Sequence, residues 1–174
     1  MQRIGRTIGG LCLIALWAAT SSHAAEQSQG RSGRLDDFFL ENLVGNWQIS
    51  RRIRGAVVGN TLKAEWVLQH RFVQLHMRDV ADPPQYEALV LIGYDASSQS
   101  YVAHWCDNFG AQYSAVGYGK RVGNVIDFVF SYPDGPFHNR FSWDPARSAW
   151  TFLMEGEGKD GKRTFFAEDT VKKE

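Results

Sequence analysis

Cysteine is nearly absent from this chain: Cys12 and Cys106 are the only two in 174 residues. Two cysteines build neither a disulfide-stapled scaffold nor a four-cysteine zinc site. An excess of charge of one sign is lacking as well, since 19 Lys+Arg stand against 19 Asp+Glu. Without a basic footprint, nucleic acid is a poor partner. No apolar run reaches the roughly 20 residues that cross a bilayer as a helix. From Gly45 onward no helical pattern of 10–15 residues occurs, which excludes crossover connections and a parallel sheet. What remains is 44% hydrophobic and 13% aromatic residues, the composition of one globular domain. No catalytic constellation rises above background.

The first 24 residues read as a secretory signal peptide. Arg3 and Arg6 form a basic start, Ile8 to Ala19 an apolar run, and Ser22-His23-Ala24 a small-x-small cleavage site. A lipoprotein reading fails because Cys12 sits inside the apolar run. Cleavage near Ala24 removes Arg3 and Arg6, leaving 17 basic against 19 acidic side chains. Cys106 is then the sole thiol, so the mature chain carries no internal disulfide in spite of an oxidising destination. The expected location is periplasmic or secreted, with no membrane span in the mature protein. Residues 25–34 are small and polar and read as a flexible leader, followed by a single domain over 35–174. Asp36 to Leu43 suits a short helix with an acidic start and an apolar stripe of Phe38, Phe39 and Leu43.

The remainder alternates β-branched and aromatic runs with turn chemistry at near-regular spacing. Strands are expected at 46–54, 61–69, 71–79, 86–94, 100–106, 112–119, 124–131, 137–143, 149–155 and 163–171. Gly55 to Asn60, Asp82-Pro83-Pro84, Asp95 to Ser98, Pro133 to Pro136 and Gly158 to Gly161 mark the clearest turns. Ten short strands must hide their edges. The economical answer is an all-β, roughly ten-stranded antiparallel up-and-down barrel behind a short N-terminal helix, with a two-sheet sandwich as rival. Alternation puts Leu62, Ala64, Trp66 and Leu68 on one face, Ile126, Phe128 and Phe130 on another, and Trp150, Phe152 and Met154 on a third. The interior should therefore be rich in aromatic rings.

Gly45-Asn46-Trp47 after a short helix looks like the G-x-W opening of lipocalin-like (calycin) barrels. A longer pattern follows: Tyr86-Glu87-Ala88-Leu89, Gly93-Tyr94-Asp95, Tyr101-Val102, Trp105-x-Asp107, Gly110 and Gly117, with Arg71-Phe72 and Asp160-Gly161-Lys162 besides. Together these residues resemble the secreted bacterial lipocalin-like family known as domain of unknown function 1579. The resemblance spans Leu43 to Lys173 and implies a barrel whose helix closes one end, with Trp47 packed across the base. It implies no activity. The chain departs from the family at Gln69-His70, where relatives tend to place glycines, and at Lys172-Lys173, where relatives often carry arginine.

Each motif also has a structural role to offer. Gly93 relieves crowding at a strand end, Asp95 caps the turn after Tyr94, and Asp107 at the rim binds a ligand or a neighbouring backbone amide. His70, His76, His104 and His138 show no metal-ligand spacing, so no metal is expected. The related nitrobindins hold haem through one His near their C-terminal strands, and 149–171 contain none; haem stays a secondary possibility and no other cofactor is expected. Cys106 and His104 share a strand face at i, i+2, the minimum for an activated thiolate, but no oxyanion hole accompanies them. Glu155 and Glu157 read as a solvated edge.

The leading expectation is a binding module that holds a small hydrophobic or amphipathic molecule among Trp66, Trp105, Phe128, Phe130 and Trp150. Interior polar groups among Arg51, His76, Asp107 and Asn139 would orient it. The alternatives are a small-barrel enzyme of the isomerase or cyclase kind, using His76 or His104 as acid and base, or the haem barrel.

Overall fold

The computed structural model describes residues 34–174; the expected signal peptide and most of the leader lie outside the described residues. A one-turn helix, α1 (Phe38–Glu41), leads into β1 (Gly45–Ile53), β2 (Ala56–Val67), β3 (Phe72–Asp79), β4 (Glu87–Asp95) and β5 (Ser100–Asp107). A 3-10 turn (Ala111–Tyr113) precedes β6 (Ala115–Gly119), the two-residue β7 (Arg121–Val122), β8 (Val125–Tyr132), β9 (Gly135–Asp144), β10 (Ala149–Glu157) and β11 (Arg163–Lys173). Sequential neighbours pair antiparallel from β1 to β6 and from β8 to β11; β1 pairs with β11 and β6 with β8, so ten strands close into a barrel. The sandwich is excluded. β7 extends the barrel only as a short flap on β8.

Alternation sets the interior. Trp47, Ile49 and Arg51 of β1 point inward with Asn60, Leu62 and Ala64 of β2, and Val73, Leu75 and Met77 of β3. Across the bore, Ile126, Phe128 and Phe130 meet Phe141, Trp150 and Phe152, with Phe141 and Phe152 stacked at 3.9 Å and Phe128 edge-on to Phe141 at 5.4 Å. Each of these buried rings contributes roughly 1.5–3 kcal/mol by transfer alone. Closure needs thin spots. Gly117 lies under the Phe130 ring, where an added Cβ would sit 2.6 Å from it, and Gly93 lies under Phe72 at 2.7 Å. The crowding expected at Gly93 is thus met by its missing side chain.

α1 caps one end. Asp37 is its N-cap, accepting hydrogen bonds from Phe39 N at 2.8 Å and Leu40 N at 3.0 Å. Phe39, Leu40 and Leu43 are buried, whereas Phe38 is 78% exposed. The expected stripe is therefore corrected: a single turn at about 100° per residue swings Phe38 out and Leu40 in. The indole of Trp47 donates to Leu43 O at 2.7 Å, and the Lys173 ammonium lies 4.2 Å over its ring while donating to Val44 O at 2.9 Å. Lysine thus covers the Trp47 ring.

Two turns differ from expectation. Gly55 to Asn60 is mostly strand: Ile53 pairs with Ala56 across a two-residue loop in which Arg54 and Gly55 both have positive φ, a hairpin geometry that favours glycine second. At the β2–β3 hairpin, Leu68, Gln69 and His70 have φ of 51°, 57° and 64°. Three consecutive non-glycine residues in the left-handed region cost roughly 1–2 kcal/mol apiece. Stacking of His70 on Trp66 at 3.8 Å and the Leu35 N–His70 O hydrogen bond at 3.1 Å hold the turn. Gln69 is exposed, so Gln69→Gly should stabilise the fold by about 0.5–1 kcal/mol, after the extra chain entropy of glycine is deducted. Urea unfolding reads this directly, and a loss of stability would show that the turn is not strained.

Candidate functional site

The strand ends opposite α1 gather polar side chains in the bore. Arg51, near the end of β1, is 6% exposed, and Asp169, midway along β11, is fully buried. Their register partners in the β1–β11 ladder are each other, and the guanidinium grips the carboxylate with Nε–Oδ1 and Nη2–Oδ2 bonds of 2.7 Å each. Such forked pairing is the strongest that a carboxylate can make. Burial would lower Arg51, but the hydrogen bond and charge of Asp169, with help from Tyr86, leave it raised. Burial pushes the Asp169 carboxyl up, and Arg51 draws it only part of the way back. Two short charge-assisted bonds to a guanidinium that keeps its proton favour the ionised pair.

Tyr86, before β4, lies under Arg51, whose guanidinium carbon is 4.9 Å from the ring centre. Burial pushes its hydroxyl up to about 12, and the Asp107 charge adds to this; Arg51 and the Trp105 hydrogen bond oppose it. Trp105 stands edge-on to Phe130 at 6.1 Å, and Tyr132, Phe137 and Phe166 form an aromatic run with ring separations of 6.3 Å and 5.4 Å. Asn60 on β2 and Asn139 on β9 are each 2% exposed, and the Oδ1 of each has no hydrogen-bond partner. Buried unpaired acceptors are uncommon and ask for an occupant, water or ligand. With a paired cation and a phenol that keeps its proton, this end suits the orientation of a polar group better than proton abstraction.

The nine expected ligand residues therefore separate. Arg51, Trp105 and Phe130 lie towards the end opposite α1, and Phe128 and Asn139, register partners in the β8–β9 ladder, lie in the middle of the bore. Trp66 and Trp150 belong to the helix end, where their indoles donate to Glu41 Oε2 at 2.7 Å and Asn42 O at 3.1 Å. Asp107, at the rim, accepts from Phe109 N at 3.1 Å, the turn role. His76 is corrected outright: its β3 neighbours Leu75 and Met77 are buried inward, so it faces out and meets Glu87 at 2.6 Å. The structural residues sit as expected, with Gly45 opening β1 and Asp95 accepting from Ser97 N, Ser97 Oγ and Ser98 Oγ beside Tyr94. These bonds hold the Asp95 carboxyl down at about 2.

Asp169, Tyr86 and Asn60 are not among the ligand residues expected from the sequence, where Tyr86 enters only as part of a family-like motif and Asn60 only as part of a turn. Asn60 was hidden by the misread turn. Asp169 had a signal, since it falls between Ala167 and Val171 on the inward parity of β11.

The other chemistry candidates lie outside the bore. His104 is exposed on the outer face of β5, as is Cys106, the one free thiol among the described residues, so Cys106 is no buried hydrophobe. His138 is buried on the outer face of β9, with Nε2 2.9 Å from Glu157 and Nδ1 3.4 Å from Asp127. Arg163 lies 3.2 Å from Asp127, 3.6 Å from Glu155 and 3.7 Å from Glu157. Glu155 and Glu157 thus belong to an ion network and not to a solvated edge. Among the described residues no group of three His, Cys, Asp or Glu is arranged to hold a metal ion. His76, His104 and His138 all face away from the bore, and His70 sits in the β2–β3 turn, so a haem in the bore finds no axial imidazole on these strands.

These features define a closed ten-stranded antiparallel barrel with one capped and one polar end. The chain belongs to the family described as "Protein of unknown function (DUF1579)", whose profile matches residues 37–143, from the α1 cap into β9. Arg51 falls within that span and Asp169 beyond it. Among solved structures the chain is similar to that of Rv2717c from M. tuberculosis, with a TM-score of 0.54 and 10% identity over 79% of this chain and 98% of that one. At that identity the likeness is one of fold. No curated protein matches the chain.

Two outcomes follow from the buried pair. Arg51→Met strands a buried carboxylate and should cost about 3–5 kcal/mol in urea unfolding, while Arg51→Met with Asp169→Leu recovers most of that loss. Additive losses would mean the two side chains are not coupled. For Tyr86, folded and unfolded chains both hold the proton below the ordinary value of 10, and above it only the folded chain does, up to about 12. Stability is full below pH 10 and should fall by roughly 2–3 kcal/mol towards pH 12, with a shallower fall in Tyr86→Phe. An equal slope in the variant removes Tyr86 as its source.

Proposed function

We propose that the protein is an exported calycin-type binding barrel that takes a small amphipathic molecule at its open end. The apolar body rests on Trp105, Phe130 and the Tyr132–Phe137–Phe166 run. The polar end meets Arg51, Asn60 and Asn139. The observation that carries this reading is the pair of buried, unpartnered amide oxygens at Asn60 and Asn139, inside a wall otherwise apolar or paired. A hydroxyl or amine donor on the ligand satisfies them, and its loss leaves them unpaired, a difference worth roughly 1–3 kcal/mol of binding per group. The signal-peptide pattern of residues 1–24 supports export, and the Gly45-Asn46-Trp47 opening behind α1 supports the calycin likeness.

Native mass spectrometry of the protein purified from its own compartment, set against its denatured mass, tests the reading. A mass excess lost on denaturation is expected. Asn139→Leu should lose that excess and at the same time unfold at higher urea, because it replaces an unsatisfied acceptor by an apolar group. Equal native and denatured masses, with Trp105 fluorescence unmoved by fatty acids and fatty alcohols, would sink the proposal.

A further inference from the structure

A recess lies at the end of the barrel that α1 closes. It has a volume of about 390 Å3 and is lined by Asp37, Tyr94, Gln99, Tyr101, Lys120 and Arg121, a size within the range of roughly 300–1,000 Å3 that small molecules occupy. We propose that it binds a small organic anion, a carboxylate or phosphate group carried on a planar body.

Charge decides the class of ligand. The only carboxylate in the lining, Asp37, is already used: its Oδ1 accepts from Phe39 N and Leu40 N, and its Oδ2 accepts from the Tyr101 hydroxyl. Arg121 approaches Asp37 only to 3.9 Å, the outer limit of an ion pair, and its side chain is 43% exposed. Lys120 is exposed and its ammonium has no hydrogen-bond or ion-pair partner among the described residues. Two adjacent cations at the β6–β7 turn thus keep unspent donors, and a cationic ligand would find no free acceptor of opposite charge.

The rest of the wall favours a planar body over a bare ion. Tyr94 is 40% exposed and stands edge-on to Tyr101, with ring centres 5.1 Å apart. Burial, then the hydrogen bond to Asp37, pushes the Tyr101 hydroxyl well above its ordinary range. It therefore stays neutral and adds no repulsion. Gln99 contributes an amide beside the cations. A flat ring on Tyr94, with its acid group between Lys120 and Arg121, uses every group that the fold has left over. This recess shares no lining residue with the open end, so it stands or falls independently of the bore.

The test is calorimetric titration of the purified protein with benzoate, phenyl phosphate and the uncharged benzyl alcohol. Saturable binding of either anion is expected, weakening with added salt, and the tighter of the two names the head group. Lys120→Met and Arg121→Met should each weaken it by about tenfold or more. Since Lys120 is exposed, its variant keeps the unfolding midpoint of the parent chain. Phe109→Ala, an exposed position in the loop after β5 at the far end, should leave anion binding unchanged. The proposal is overturned if neither anion saturates, if benzyl alcohol binds as well, if the Lys120 and Arg121 variants bind like the parent, or if Phe109→Ala abolishes binding.

Discussion

The seam between β6 and β8 is the contact on which the barrel depends. Everywhere else long neighbouring strands zip together, but here two register pairs, Gly117 with Phe130 and Tyr118 with Val129, join the two halves of the sheet. A side chain at position 117 would meet the Phe130 ring, so the seam closes only where there is none. If it opened, β6 and β8 would present unpaired backbone groups, and Phe130, now under Trp105, would lose its cover. Closure turns a long meander into a vessel with an inside, and every later property follows from which side chains alternation sends there.

The vessel is not uniform along its axis. Towards the α1 end Trp47, Phe39 and Trp150 pack together inside the bore, and the Trp47 and Trp150 indoles donate to backbone carbonyls of Leu43 and Asn42. From the middle towards the other end the same inward parity delivers Arg51, Asp169, Asn60 and Asn139. A guanidinium and a carboxylate inside a barrel are costly unless each satisfies the other, which the β1–β11 register arranges by setting them opposite each other. The amides have no such counterpart. Within the bore, this division into an apolar half and a half with unpaired amides explains why aromatic residues alone were poor guides to a site.

Much of the architecture was legible in the chain. The ten strands, the antiparallel meander, the barrel and the capping helix follow from two-residue periodicity and turn chemistry, which are local and therefore readable. Errors fell where local signals compete. Gly59-Asn60 resembles a turn pair yet lies in β2, because Arg54-Gly55 had already reversed the chain. Leu68-Gln69-His70 carries no glycine yet adopts a left-handed turn, held by the stacking of His70 on Trp66. Phe38 looked like its neighbour Phe39 until the single helical turn pointed it away.

The sequence by itself determined the inventory: which residues alternate together, that the sheet must close, and that two cysteines build no disulfide scaffold. Only the tertiary structure decided the axial position and the facing of each side chain. Trp66 and Trp105 both lie near the C-terminal ends of their strands, but one hydrogen-bonds to the cap and the other edges the polar end, since β2 and β5 run in opposite directions along the barrel. His76 lies one residue from the buried Met77 and faces outward for the same geometric reason. Alternation fixes a face only relative to its neighbours along the strand; which face is inside, and at what height, is set by strand register and closure, properties of the whole sheet.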